Sequence, residues 1–185
     1  LNFEKYAIRL LKINDLNNYF HLINDNRKRL EEIFTGTVLE TKTIESTKVF
    51  MLKNLERIKD KSYFPYVIID ESDNRFVGFI DLKNIDYNIK KAELGFYMDE
   101  NYARKGIMTK ALNCFCDYYF EKIQFNKLFL RTHPDNFSTR KLAEKCGFKI
   151  EGVIRNDYMT TSGKIIDLVY YGRLSYEKQT TTNNV

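Results

Sequence analysis

The sequence predicts a mixed α+β domain: a central, mostly antiparallel twisted sheet of about six or seven strands, flanked by helices, with one parallel βαβ crossover. Three observations carry this prediction. Apolar residues recur at helical spacing through residues 15–59, then switch to short apolar runs from residue 63. The runs 63–70 (YFPYVIID) and 75–85 (RFVGFIDLKNI) flank turn residues at 71–74 and read as an antiparallel hairpin. A helical pattern at 106–123 separates the strand patterns 91–100 and 127–133, so those two strands become parallel neighbours.

The elements follow in chain order. Residues 6–12 (YAIRLLK) alternate weakly and give a first strand. Asp15 is placed to cap a helix to about residue 25, with Leu16, Tyr19, Phe20 and Ile23 on one face. A second helical stretch covers 27–34, and TGTVLETKT (35–43) reads as a loop. Residues 43–59 are amphipathic, with Val49, Leu52, Leu55 and Ile58 in register. After the hairpin and a turn at 86–90 come the strand 91–100, the long helix with Ile107, Ala111 and Phe115 on its apolar side, and the strand 127–133. A short helix at 137–146 ends at Gly147, well placed as a left-handed cap with Phe148 packing back. Two last strands, 148–159 and 164–175, surround a turn at 160–163. With no repeat and no linker, residues 1–176 read as one domain, and 177–185 as a polar, disordered tail.

Composition narrows the function classes. The 185 residues carry a net charge of +5, but basic and acidic residues are interleaved, as on a solvated surface. DNA is not an expected partner, although a mild basic surface suits a nucleotide or a ribosomal partner. No apolar run approaches the roughly 20 residues that span a bilayer, so no membrane partner is expected. No basic-then-apolar leader is present, so export is not expected either. Cys114, Cys116 and Cys146 have no framework spacing, which predicts reduced thiols and a cytoplasmic setting. With only His21 and His133 beside them, no metal site is predicted.

The stretch YARKGIMTKA (102–111) sets Arg104 and Lys105 at the start of a helix. The dipole disfavours each cation there by roughly 0.3–1 kcal/mol. Either the two side chains simply point into water, or the helix N-terminus holds an anion that offsets the penalty. Ligands of such sheets bind beyond the carboxyl end of a strand, and Gly106 lets the backbone approach closely. Neither G-x-x-x-x-G-K-[ST] nor G-x-G-x-x-G occurs, which leaves ATP- and NAD-type sites poorly supported.

The block AELGFYMDENYARKGIMTKAL (92–112) resembles motif A of the GNAT superfamily of N-acetyltransferases, where [RQ]-x-x-G-x-[GA] cradles the coenzyme A pyrophosphate. The chain departs from that hexapeptide at both ends, with Ala103 and Met108. HPDNFSTRKLAEKCGFKIEGVIR (133–155) and GKIIDLVYYGRL (163–174) match in order, and the whole is similar to the RimJ/RimL-like branch, which modifies ribosomal-protein N-termini. The resemblance spans about residues 6–176. It implies the GNAT acyl-CoA N-acyltransferase fold, acetyl-CoA as cosubstrate, no metal, and an amine acceptor such as a ribosomal-protein N-terminus. It also makes a homodimer an expectation, with the aromatic C-terminal strand as its surface.

The same resemblance implies roles. The backbone of Phe96, Tyr97 and Met98 lines the pantetheine arm where the two parallel strands splay. The amides of Arg104, Lys105, Gly106, Ile107, Met108 and Thr109 receive the pyrophosphate. Asn136 contacts the pantetheine amide, or caps the helix that starts there. Ser138 protonates the departing thiolate, or is an ordinary first-turn serine. Candidates for the base are Glu93, Asp81 and Asp157. Glu93 shares the strand face of Gly95 and is either a base working through water or a structural partner. Asp81 reads a cationic substrate or is a strand-end charge. The branch's glutamate after E-G-x-[IL] is missing: Arg155-Asn156-Asp157-Tyr158 puts Tyr158 in its place, with Asp157 adjacent. Tyr97 and Tyr158 are candidate acids, with aromatic packing as the alternative. The acceptor is expected to enter over residues 15–34 and the turn 160–163.

Acetyl transfer needs a neutral amine. At pH 7 deprotonation costs about 4.6 kcal/mol for a lysine and about 1.4 kcal/mol for an α-amine. An α-amine thus needs only modest help from a base, and the altered base segment is consistent with a shifted base, a different substrate or a mechanism relying on water. The alternatives are a small-molecule amine, polyamine or aminoglycoside-like, and a non-catalytic CoA- or RNA-binding module.

Overall fold

The computed structural model describes residues 1–177. Its elements are β1 (Asn2–Phe3), β2 (Tyr6–Leu10), α1 (Leu16–Leu30), α2 (Thr35–Glu40), α3 (Ile44–Lys59), β3 (Phe64–Asp70), β4 (Arg75–Asp86), β5 (Lys91–Met98), α4 (Ile107–Asp117), β6 (Lys127–Thr132), α5 (Phe137–Lys145), β7 (Lys149–Met159) and β8 (Ile165–Leu174). The strands make a single eight-stranded sheet in the order β1-β2-β3-β4-β5-β6-β8-β7. Every neighbouring pair is antiparallel except β5–β6, which α4 connects.

Strand alternation divides the core into two layers. Ile68, Ile80, Leu82 and Leu94 cluster with Leu112 and Phe115 of α4 and with Leu128 and Phe148. Val67, Phe79 and Tyr97 cluster on the other side with Tyr19 and Ile23 of α1 and Met51 of α3. Helices thus cover both sides of the sheet, and the side under α1–α3 receives the odd-numbered residues of β5.

Several boundaries differ from the sequence reading. The sheet has one strand more than expected, because Asn2–Phe3 pairs with β2. α1 runs without a break through Asn26, whose buried side chain donates to the Leu22 carbonyl (2.9 Å) and accepts from the Glu100 amide (3.0 Å). A polar residue that looked like a helix break is therefore satisfied inside the fold. Residues 35–40 are helical rather than a loop, and Arg27 donates to the carbonyls of Val38 (2.9 Å) and Thr41 at the end of that helix. Tertiary hydrogen bonds there outweigh the weak propensity of Gly36 and the threonines.

The expected inner face of α3 needs a correction in its first half. Val49 is 67% exposed and Leu52 46%, Leu55 and Ile58 are half-buried, and Thr47, Met51 and Asn54 are the buried residues. Thr47 tolerates burial because its hydroxyl donates to the Thr43 carbonyl (2.7 Å) one turn back. The long fourth helix is α-helical only to Asp117 and closes with a wider turn over Tyr118–Lys122. Gly147 adopts φ +80° as expected, and the Phe148 amide reaches back to the Ala143 carbonyl (3.0 Å). The expected tail begins one residue too early: Glu177 binds Lys149 (2.6 Å) and accepts from the Leu174 amide (2.9 Å). The remainder of that expectation, 178–185, lies outside the described residues.

Candidate active site

β5 and β6 pair only at Lys91↔Lys127, Ala92↔Leu128 and Glu93↔Phe129. Beyond that point β5 stays with β4 as far as Met98↔Gly78, and β6 stays with β8 as far as Thr132↔Val169. The two strands part, and the facing edges at 94–98 and 130–132 have no strand partner. Backbone groups so exposed at a sheet's centre call for another hydrogen-bonding partner. Two cavities open at this divergence.

The first, about 430 Å³, lies between the end of β5, the start of α4 and the start of α5. Of the ten residues expected at the cofactor, nine line it: Phe96, Tyr97, Met98, Arg104, Gly106, Ile107, Met108, Thr109 and Asn136. Lys105 does not; its ammonium sits 5.2 Å from the centre of the Tyr102 ring. Arg104 (φ +62°) and Gly106 (φ +76°) take left-handed backbone, and no side chain caps α4. The first amides of α4 are therefore left for an outside acceptor, and Arg104 adds a cation beside them. This donor set fits a pyrophosphate. Asn136 caps α5 by accepting from the Thr139 amide (3.1 Å), which leaves its side-chain N–H groups for a ligand. Ser138 lines the same cavity and is exposed.

The second cavity, about 310 Å³, lies under α2 and α3. It shares Ile33, Phe34, Phe96 and Thr139 with the first, so the two communicate at the strand divergence. Asp81, Glu93 and Tyr158 line it, whereas Asp157 lines neither. Its rim is clasped from both ends. Tyr158 Oη accepts from the Thr35 amide (3.0 Å), the Thr35 hydroxyl donates to the Met159 carbonyl (3.1 Å), and the Thr161 amide donates to the Glu31 carbonyl (3.1 Å). The α1–α2 connection and the β7–β8 turn, both expected at the acceptor entrance, meet here.

Glu93 and Asp81 are buried and each accepts two hydrogen bonds, whereas Asp157 is half-buried. Glu93, 4% exposed, accepts from Arg131 Nε (3.0 Å) and from Asn84 Nδ2 (2.6 Å). Arg131 also donates to Asp157 (3.1 Å), which the Tyr170 hydroxyl binds at 2.7 Å. Burial alone would lower the Arg131 pKa, but the charge and hydrogen bond of Glu93 outweigh it and push the value up. Asp81 accepts from the Tyr63 hydroxyl and the Gly95 amide, both at 2.9 Å, with Lys83 at 3.6 Å. Burial, then the neighbouring Asp81, drives the Tyr63 pKa well up. Burial does the same for Tyr97, whose ring stacks on Phe79 and meets Phe34 edge-on. Both phenols therefore stay protonated at neutral pH. The Cys116 and Cys146 thiols are pushed up by burial, to about 12 and about 11, and stay unreactive.

Sequence reasoning missed Arg131, Lys83, Arg57, Phe34 and Thr139 as cavity residues. One signal was available for Arg131. In KLFLRT, Leu128 and Leu130 fill the buried face of the strand, which places Arg131 beside Phe129 on the opposite, half-buried face, where a long cation can reach a ligand or a carboxylate.

Comparison with known proteins agrees with this arrangement. The chain is 26% identical to the spermidine N(1)-acetyltransferase of Vibrio cholerae, over 84% of this chain and 85% of the relative. It is 22% identical to the ribosomal-protein-serine acetyltransferase of Escherichia coli, over 82% and 83%. The fold superimposes on RimL, a ribosomal L7/L12 alpha-N-protein acetyltransferase solved with coenzyme A, with a TM-score of 0.85 at 18% identity, covering 93% of this chain and 95% of that one. The sequence model described as "Acetyltransferase (GNAT) domain" matches residues 6–149. With the splayed β5–β6 pair, the uncapped α4 and this match over most of its length, the chain belongs to the GNAT family of acetyltransferases.

Proposed function

We propose that this acetyltransferase acetylates the α-amine of a protein N-terminus, the acceptor class named for its ribosomal-protein relative, with acetyl-CoA as donor. The observation that carries the reading is the state of the carboxylates in the second cavity. Asp81 and Glu93 are occupied by Lys83, Tyr63, Gly95, Arg131 and Asn84, and Glu40 lies 3.6 Å from Lys53. A polyamine needs free carboxylates for its ammonium groups, and a single α-amine does not.

In this reading the amides of Arg104, Gly106, Ile107, Met108 and Thr109 and the Arg104 side chain bind the pyrophosphate. Lys105 contributes its backbone amide rather than its side chain. The free edge of Phe96, Tyr97 and Met98 and the Asn136 amide hold the pantetheine arm, with the thioester at the divergence. A backbone N–H of 96–98 polarises its carbonyl, a kind of contact whose loss costs about 10²–10³ in kcat. The amine nitrogen bonds to the acetyl carbon as the C–S bond breaks. Glu93, through water, takes the amine's proton, and Ser138 gives one to the thiolate, with the Thr139 hydroxyl next to it at the junction. Asp157 acts through Arg131, and Tyr158 shapes the acceptor wall. Asp81 holds Gly95 and Tyr63 in place rather than reading a cation.

The test begins with thermal unfolding. Acetyl-CoA at about 100 times its Kd should add roughly 2.7 kcal/mol of stability, with no effect from ATP or NAD. N-terminal peptides should then exceed spermidine in kcat/KM at least tenfold. Faster turnover of spermidine would give the polyamine reading instead. Binding of acetyl-CoA without turnover of any amine would leave a non-catalytic module.

A further inference from the structure

Among its lining side chains the acceptor cavity carries one cation more than carboxylates, with Asp157 behind the lining on Arg131. Lys53, Arg57, Lys83 and Arg131 line it against Glu40, Asp81 and Glu93. Three of the four cations have a carboxylate within reach: Arg131 at 3.0 Å from Glu93, Lys83 at 3.6 Å from Asp81 and Lys53 at 3.6 Å from Glu40. Arg57 has none among the described residues. Its guanidinium is nevertheless held in place. The guanidinium carbon lies 4.5 Å from the centre of the Tyr63 ring, and Nη1 is 3.3 Å from Asn54 Oδ1. Tyr63 is itself 7% exposed and fixed through its hydroxyl to Asp81. A guanidinium stacked on an aromatic face, with most of its five donors unspent, is pre-organised for a bidentate oxyanion. A bland role also exists, because Arg57 sits in the last turn of α3, where a cation suits the helix dipole. That role makes no demand on the acceptor.

We propose that Arg57 is a specificity residue that binds an oxyanion on the acceptor, so that the preferred substrate is an N-terminus with a carboxylate or phosphate among its first residues. The proposal rests on the α-amine reading above, and small amines separate the two.

The test uses the full chain with acetyl-CoA and measures kcat/KM for matched amidated tetrapeptides. In one set Asp, phosphoserine or Asn occupies the second position; in another they occupy the third. A small-amine pair, 4-aminobutyrate and its amide, and spermidine are run alongside. The anionic member of the favoured set should exceed its Asn counterpart by tenfold or more, and the Asp and phosphoserine arms identify which anion is read. Arg57→Gln should collapse that ratio to within about threefold, and Arg57→Lys should keep part of it. A cation that only completes α3 would lower stability and leave the ratio unchanged. The proposal is overturned if the neutral peptides or spermidine are preferred, or if Arg57→Gln keeps the full ratio. Turnover of 4-aminobutyrate over its amide, lost in Arg57→Gln and without peptide turnover, would reject the α-amine reading and keep the anion site. Turnover of no amine would overturn both.

Discussion

Glu93 is buried between Arg131 and Asn84 and neutralises Arg131. In the proposed mechanism it is also the base that lowers the cost of freeing the amine. Glu93→Gln distinguishes them through pH. An α-amine with a pKa near 8 is roughly one-tenth neutral at pH 7 and mostly neutral by about pH 9. Loss of the base should therefore cut kcat/KM about tenfold at pH 7, with the deficit shrinking toward pH 9. A purely structural role predicts a deficit that pH does not change, tracked by a fall in melting temperature. Gly106 presents a different constraint. A Cβ there would meet no heavy atom within 4 Å, but φ is +76°. Gly106→Ala should cost about 1 kcal/mol in stability from backbone strain, measured by denaturant unfolding. It should also weaken acetyl-CoA binding, because the loop carrying the free amides would shift.

Among the elements, α3 shows how far a periodic pattern reaches. Val49, Leu52, Leu55 and Ile58 fall on one stripe, and so do Thr47, Met51 and Asn54; the fold buries the second. Met51, fully buried, should lose about 2–5 kcal/mol on replacement by Ala. Val49→Lys, on the exposed side, should stay within about 0.5 kcal/mol of the parent. Urea titration of the two variants checks the assignment, and a reversed order would restore the face read from the sequence. The reason for the outcome is local: the Thr47 hydroxyl is satisfied by the Thr43 carbonyl one turn back, and Asn54, which lines the cavity, accepts from Arg57. Similarly, α2 exists because Arg27 reaches its carbonyls from α1, a contact eleven and fourteen residues away that no window of local propensity contains.

For the molecule as a whole, two carboxyl groups tie the first long strand to its surroundings. Burial would raise the Asp15 pKa, but Arg9 binds it at 2.7 and 2.9 Å and holds it below the usual carboxylate range. The Lys5 ammonium, at 2.7 Å, does the same for Asp70, with Ser72 assisting. A carboxyl whose pKa is lower folded than unfolded contributes stability above its unfolded value, about 3.9, and loses it as pH falls through the folded value. These groups should therefore leave the melting temperature unaffected between about pH 7 and 5 and lower it below about pH 4. Asp15→Asn should flatten the acid side of that curve, and an unchanged slope would show that the Arg9 contact contributes little.

The sequence by itself determined the fold class, the single parallel crossover and the glycine loop that opens α4, because these depend on short-range properties. Hydrophobic period distinguishes helix from strand, turn residues mark hairpins, and Gly106 with its flanking residues forms one contiguous stretch. Gly147 was legible for the same reason, since a left-handed cap is set within a few residues. What only the tertiary structure decided were the relations between distant segments: that β5 and β6 part after Glu93, that Lys105 turns onto Tyr102, and that Arg131 binds Glu93 and Asp157 at once. The uncompensated charge of Arg57 belongs to that group as well. Whether a cation is neutralised depends on every carboxylate within a few ångströms, and those come from α2, β4 and β5, far apart along the chain and brought together only by folding.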